Sequence, residues 1–253
     1  MIYIPNLIKP FHTFEQVLRN AIEWFESQPE KKRTKLESDL EHGAAILTNK
    51  EQLKTYLAKY GKIHQDKLLQ AFEQIPDRVW DEENISIIDY GCGQGIAEMV
   101  LSDYLTARNV DNDYIKDFIL IDPSEANLNQ CEQYVERFYN NAEIITLCKT
   151  EKCIDANNIA PKAQTVIHIL SNVIDLEDFS GDNIADLLSS DKSHNNIVVC
   201  VSPYYQESSR GKQMTDFGKK LIGYTLVYKL EKHITDWAKP YSCQIHIYIS
   251  SYY

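Results

Sequence analysis

The chain has 253 residues, 43% hydrophobic and 25% charged, and a net charge of −11 at pH 7. That length buries a full core and argues for one large domain, or one domain with an extension. No apolar stretch reaches the roughly 20 residues needed to span a bilayer. The opening MIYIPNLIKPFHTF, broken by Pro5 and Pro10, lacks the continuous apolar core of a secretory signal, so a cytoplasmic protein with no membrane partner is expected.

Charge is unevenly spread. Residues 1–80 carry 12 Lys and Arg against 11 Asp and Glu, and the remainder carries 14 against 26. An acidic second half argues against duplex DNA as a partner, whose binding rests on cations neutralising phosphates. The one basic run, Lys31, Lys32, Arg33 and Lys35, reads as a solvated face. The six cysteines form no C-x-x-C pair, so no metal site is expected and the thiols should be reduced. Cys148, Cys200 and Cys243 fall in or beside apolar strand-like runs and are expected to be small buried hydrophobes.

Residues 1–80 read as a helical extension or cap. Thr13 and Gln16 fit a capping box, and Phe14, Val17, Leu18, Ala21, Ile22 and Phe25 then form one apolar helix face. Pro29 ends or interrupts that helix. Thr48 and Glu51 suggest a second capping box. Leu53, Tyr56, Leu57 and Tyr60 follow on one face, Gly61 is placed for a C-cap, and Leu68, Leu69 and Phe72 mark another helix before Pro76. These apolar faces need a cover, which the rest of the chain or a second copy in a homodimer would supply.

From residue 81 onward the pattern alternates. Strands are expected at 85–90, 117–122, 143–148, 164–170, 196–202, 224–231 and 243–250, with helices at 95–107, 124–139, 182–189 and 208–222. Nearly continuous apolar strands separated by helices imply an α/β fold with a mostly parallel sheet covered on both faces. The last two strands leave no room for a helix between them and should be antiparallel.

The most informative stretch is ISIIDYGCGQGIA (85–97), a buried strand ending in Asp89, then Gly91, Gly93 and Gly95 ahead of a helix. Glycine tolerates positive φ and lets a ligand lie against the backbone, and the helix start offers unpaired N–H groups. In spacing and context this resembles the D-x-G-x-G-x-G signature of class I S-adenosylmethionine-dependent methyltransferases. A dinucleotide turn wants G-x-G-x-x-G, whose third glycine would fall on Ile96. The resemblance covers residues 81–253 and implies a Rossmann-like seven-stranded sheet of order 3-2-1-4-5-7-6 with the last strand antiparallel. It implies S-adenosylmethionine as cofactor.

Ligands of open α/β sheets bind beyond the C-terminal strand ends, so the candidate residues are those at successive ends. By the resemblance, Asp89, Gly91, Cys92, Gly93 and Gly95 hold the methionine part of the cofactor. Asp122, with Pro123 and Ser124, takes the ribose hydroxyls, although Asp-Pro-Ser-Glu is also a good helix start. The distance from Gly95 to Asp122 suggests an extended first helix or a loop around Asn109–Asp113. Cys148, Lys149 and Thr150 fall in the adenine region, with the nearest acid at Glu151. Ser171 and Asn172 face the sulfonium and the substrate, or merely cap the strand. His168, inside an apolar run, reads as a buried, hydrogen-bonded histidine. Ser202-Pro203-Tyr204-Tyr205 partly matches the [DNS]-P-P-[FY] motif of amino-group methyltransferases and offers Tyr204 and Tyr205 as pocket aromatics. Tyr60, His64 and Lys67 lie upstream of the glycine turn, where they would close over the site or, as single polar residues on a helix, serve as surface or helix-packing residues.

Three readings of function stand at this point. The chain is a methyltransferase transferring directly to a small molecule, a protein or RNA, or a non-catalytic module binding the same cofactor, or an NAD-dependent enzyme of related fold. No single residue is a convincing general base, which suits an acceptor that is already nucleophilic.

Overall fold

The computed structural model describes residues 12–204, 209–232 and 242–251. Pro5, Pro10 and Tyr205 lie outside the described residues. The described chain opens with α1 (Phe14–Glu26), α2 (Glu30–Ser38), α3 (Lys50–Phe72) and α4 (Asp77–Trp80). Thr13 caps α1, accepting the Gln16 N–H at 3.3 Å, but Gln16 Oε1 reaches His12 N at 2.7 Å rather than Thr13. The second capping box sits one residue later than expected. Asn49, not Thr48, is the cap and accepts the Gln52 N–H at 3.0 Å, while Gln52 Oε1 accepts the Thr48 N–H at 2.8 Å. Asn caps as well as Thr, and the Gln52 amide is long enough to reach back.

Gly61 does not end a helix. α3 runs through it to Phe72 and absorbs the separate helix expected around Leu68. A Cβ on Gly61 would lie 2.8 Å from Leu18 Cδ1 and 3.4 Å from Phe14 Cζ, so the missing side chain lets α1 and α3 pack closely.

The seven strands are β1 (Ile85–Tyr90), β2 (Ile115–Ile121), β3 (Glu143–Leu147), β4 (Thr165–Ser171), β5 (Asn195–Ser202), β6 (Tyr224–Lys232) and β7 (Cys243–Ser250). The helices between them are α5 (Ile96–Ala107), α6 (Glu125–Phe138), α7 (Asp182–Ser190) and α8 (Ser209–Lys220). All seven strands form one sheet of order β3-β2-β1-β4-β5-β7-β6, with β7 antiparallel to both neighbours. This is the Rossmann-like order expected. α5 ends at Ala107, and a loop with Asn109 at φ 57 plus a single 3₁₀ turn at Asn112–Tyr114 takes up the remaining distance to β2.

Alternation along each strand divides the core in two. Ile85, Ile87, Leu120 and Ile169 face α1, α3, α5 and α6, packing with Phe14, Leu57, Phe72 and Met99. Ile88, Ile119, Val166 and Val198 face α7 and α8, packing with Ile184, Leu188, Met214 and Phe217. Each such side chain contributes on the order of 1.5–3 kcal/mol when fully buried. Cys200 and Cys243 are buried as expected, but Cys148 is exposed. It follows the last residue of the edge strand β3, beyond the helical cover. Among the described residues no helix is long and apolar enough to cross a membrane.

His168 is buried and hydrogen-bonded, its Nε2 2.8 Å from Asn196 Oδ1 and its Nδ1 3.2 Å from the Tyr90 hydroxyl. Burial pulls its pKa down to about 4, partly opposed by the Asn196 bond. The unfolded chain therefore takes up a proton at this site from about pH 6.5 downward, before the native state does. The stabilising contribution is present above pH 6.5 and lost as pH falls toward 4. His168→Gln should flatten the fall in unfolding free energy across that range by up to about 1.4 kcal/mol per pH unit, measured by urea denaturation.

Candidate functional site

β1 leaves the sheet at Tyr90 and turns through Gly91 (φ 76), Gly93 (φ 54) and Gly95 (φ 85) into α5. The N–H groups of Gly91 and Cys92 both donate to the Ile121 carbonyl, at 2.7 and 3.0 Å, and tie the turn to the end of β2. At Gly91 a Cβ would sit 2.2 Å from Val173 Cγ1. At Gly93 a Cβ would meet nothing within 4 Å; this glycine borders a cavity rather than packed protein.

Asp122 follows β2 directly and is 6% exposed. Its Oδ2 accepts the Gly93 N–H at 3.0 Å, and its Oδ1 accepts the Ser124 N–H at 2.8 Å and the Asn127 side-chain amide at 3.1 Å. Burial raises its pKa, and these three bonds oppose the shift. Ser124, not Asp122, caps α6, accepting the Asn127 N–H at 3.1 Å. The Ser124 hydroxyl also donates to the Leu47 carbonyl, and the Gln94 side chain donates to the Leu53 carbonyl at 3.1 Å. The loop before α3 is thereby fastened to the start of α6, and the first turn of α3 to the glycine turn.

A cavity of about 390 Å³ opens between this loop and the C-terminal ends of β1, β2 and β4, within the size range of small-molecule sites. The structure brings Asp89, Gly91, Cys92 and Gly93 to its wall from the glycine turn, Asp122 and Pro123 from β2, Ser171 and Asn172 from β4, and His64 from α3. Gly95 and Ser124 stand behind the wall as helix-start residues. Cys148 is exposed outside the cavity, with its Sγ 3.5 Å from the Pro123 carbonyl. Tyr60 and the half-buried Tyr204 do not line the cavity either.

Two polar features of the wall are unusual. Asp89 is 1% exposed, and its Oδ1 has no hydrogen-bond partner. Asn172 sits in the left-handed region at φ 59, a costly conformation that the surroundings must enforce. Its Oδ1 accepts from Lys67 Nζ, and its Nδ2 lies 2.8 Å from Ser171 Oγ and 3.3 Å from His64 Nδ1. Lys67 is 1% exposed, and its ammonium only donates, so its bond to the Asn172 oxygen fixes which way the Asn172 amide points. The Asn172 N–H then faces the His64 Nδ1 lone pair and leaves the imidazole proton on Nε2. Burial, and next the Lys67 charge, hold the His64 pKa well below its usual value. Lys67→Met should therefore raise the His64 pKa, read from the imidazole resonances in an NMR titration.

Tyr56 and the segment Gly43–Leu47 also line the cavity, and Glu98 stands beside Asp89; all three escaped the sequence reading. Glu98 left one trace, a single acid inside the apolar run IAEMVL. The segment Gly43–Leu47 left another in Gly43, which adopts φ 95 after Glu41 and His42, both also at positive φ. His64, Tyr56 and Tyr60 form one ring cluster on α3, with centroids 5.0 Å apart for Tyr56 and Tyr60 and 5.6 Å for Tyr56 and His64.

No protein-family model matches the chain, and no curated protein matches it. Solved structures with a similar arrangement include the plantazolicin methyltransferase in complex with S-adenosylhomocysteine, at 12% identity over 94% of this chain and 97% of that one, with a TM-score of 0.47. A TehB-like S-adenosylmethionine-dependent methyltransferase from Corynebacterium glutamicum matches at 12% identity over 87% of this chain and 97% of its own, TM-score 0.46. An S-adenosylmethionine-dependent methyltransferase from Clostridium acetobutylicum matches at 9% identity over 87% and 98%, TM-score 0.46. The residues of the cavity itself carry the functional reading.

Proposed function

We propose that the chain is an S-adenosylmethionine-dependent methyltransferase. The observation that supports this most is that one cavity holds the Asp89 carboxyl, without a partner on Oδ1, and the Asp122 carboxylate on either side of the three-glycine turn. The residues fit the cofactor. Asp122 keeps acceptor capacity on Oδ2 for a ribose diol, the bare Gly93 backbone admits the ligand, and Asp89 Oδ1 has no donor and can accept from an ammonium. Pro123, Lys149 and Thr150 border the adenine end. Ile96, 6% exposed on the cavity wall, stands where a pyrophosphate turn would need glycine, which disfavours NAD.

Bound there, the cofactor supplies a methyl group already activated by a sulfonium. The protein's part is to align an acceptor and exclude water. Ser171 and Asn172 border the acceptor side, and His64, neutral and protonated on Nε2, donates a hydrogen bond rather than taking a proton. An acceptor that brings its own lone pair suits this arrangement. We assign residues 1–80 the role of a cap that selects the acceptor, and residues 81–253 the cofactor site. A small molecule, a protein or RNA fits as acceptor.

The test is isothermal titration with S-adenosylmethionine, S-adenosylhomocysteine and NAD. Micromolar binding of the first two and none of NAD is expected, followed by transfer of a radiolabelled methyl group into RNA, protein or metabolite fractions. Binding of NAD alone would replace the reading with the dinucleotide one. Cofactor binding with no transfer into any fraction would replace it with the non-catalytic module.

A further inference from the structure

Behind the glycine turn, Asp89 has a buried companion. Glu98, in the first turns of α5, is fully buried, and no side-chain amide, hydroxyl or cation donates to either of its carboxyl oxygens. The two carboxyls lie within hydrogen-bond reach of each other. The other groups facing them are Asp122 from the end of β2, the thiols of Cys92 and Cys131 from the turn and α6, and the Tyr139 hydroxyl, which donates to the Glu98 backbone carbonyl at 2.8 Å. All of these are anionic or neutral. Two adjacent buried carboxylates do not both ionise in such surroundings, and one proton is shared between them.

We propose that Glu98 is a positioning residue that shares one proton with Asp89 in the ligand-free protein, and that a ligand ammonium arriving at Asp89 expels this proton. The inference rests on the cofactor reading above, because it needs a ligand carrying a cation at the Asp89 end of the cavity. Charge balances. The pair goes from one negative charge to two, one proton leaves to solvent, the ammonium supplies the compensating charge, and no ligand bond breaks. Burial, followed by the neighbouring Glu98, pushes Asp89 upward, and burial raises Glu98 to about 7. Asp122 is not the source of this proton, since three N–H donors already favour its ionised form.

Glu98 would thus set both the direction in which Asp89 points and the pH at which it is charged. Cofactor affinity should weaken about tenfold for each pH unit below the pair's ionisation, as release of one proton requires.

The experiment is calorimetric titration of S-adenosylhomocysteine into the full chain at pH 6.5, where the ligand amine is fully protonated, in buffers of differing ionisation enthalpy. About one proton released per ligand is expected. 5′-Methylthioadenosine, which keeps the nucleoside but lacks the ammonium, should bind more weakly and release none. In Glu98→Gln the amide donates to a permanently ionised Asp89, so the release and the pH slope should both vanish. If that variant fails to fold, the two ligands on the native protein decide alone. Binding of S-adenosylhomocysteine without proton release overturns the inference and leaves the methyltransferase reading standing. Failure of a well-folded native protein to bind it at all overturns that reading.

Discussion

Asp122→Ala should lose at least about 100-fold in affinity for S-adenosylhomocysteine. A carboxylate accepting from two ribose hydroxyls makes two charge-assisted hydrogen bonds, each contributing about 1.5–3 kcal/mol, and 1.4 kcal/mol is a factor of ten. The loss has a second source. Without the carboxylate, the Gly93 and Ser124 N–H groups and the Asn127 amide lose their shared acceptor, so the glycine turn is no longer held against the end of β2 through Asp122. Asp122→Asn separates the two effects. Its amide oxygen still accepts part of the backbone network, so thermal stability should stay near the native value while affinity still falls about tenfold. Calorimetry beside thermal melting of both variants makes the comparison. Native affinity in Asp122→Ala would place the ribose elsewhere.

Gly91→Ala should be among the most destabilising single methyl additions in the chain. The backbone there is left-handed at φ 76, and the new Cβ would lie 2.2 Å from the branch methyl of Val173. The left-handed conformation costs an L-residue about 1–2 kcal/mol, and overpacking costs about 1–3 kcal/mol. The sum, about 2–5 kcal/mol, corresponds to a melting shift of about 5–15 °C for a chain of this size. Val173→Ala in the same molecule removes the methyl that collides and should recover the overpacking part only. A urea-denaturation cycle over the two singles and the double reads this directly. If the double recovers nothing, the Val173 contact is not the cause.

The sheet was legible because its strands are short apolar runs bounded by polar turns, and the observed limits of β1 and β7 are those expected from their residues. Asp89, Asp122 and the glycines were legible for a related reason, since each stands at a strand end where the topology gathers ligands. The misreadings have one physical source. Gly61 looks the same in sequence whether it stops a helix or admits a neighbour, and only Leu18 and Phe14, more than forty residues away, decide which. Cys148 follows an apolar run, yet it lies beyond the sheet's edge cover. His64 looked like a lone polar residue on a helix, and its meaning comes from Asn172, 108 positions later. Glu98 shows as a buried acid only once α5 packs against β1.

The three rings on α3 have a consequence for how the site can change over time. Tyr56, Tyr60 and His64 touch one another along successive turns, and His64 is tethered to Asn172. A substitution at any one ring shifts the support of the other two, so the effects of single changes do not add. A change of cavity shape on this side is then reached through the rings as a block, by paired or compensated steps. The glycine turn and Asp122 lie on a different stretch of chain and can stay untouched while this happens.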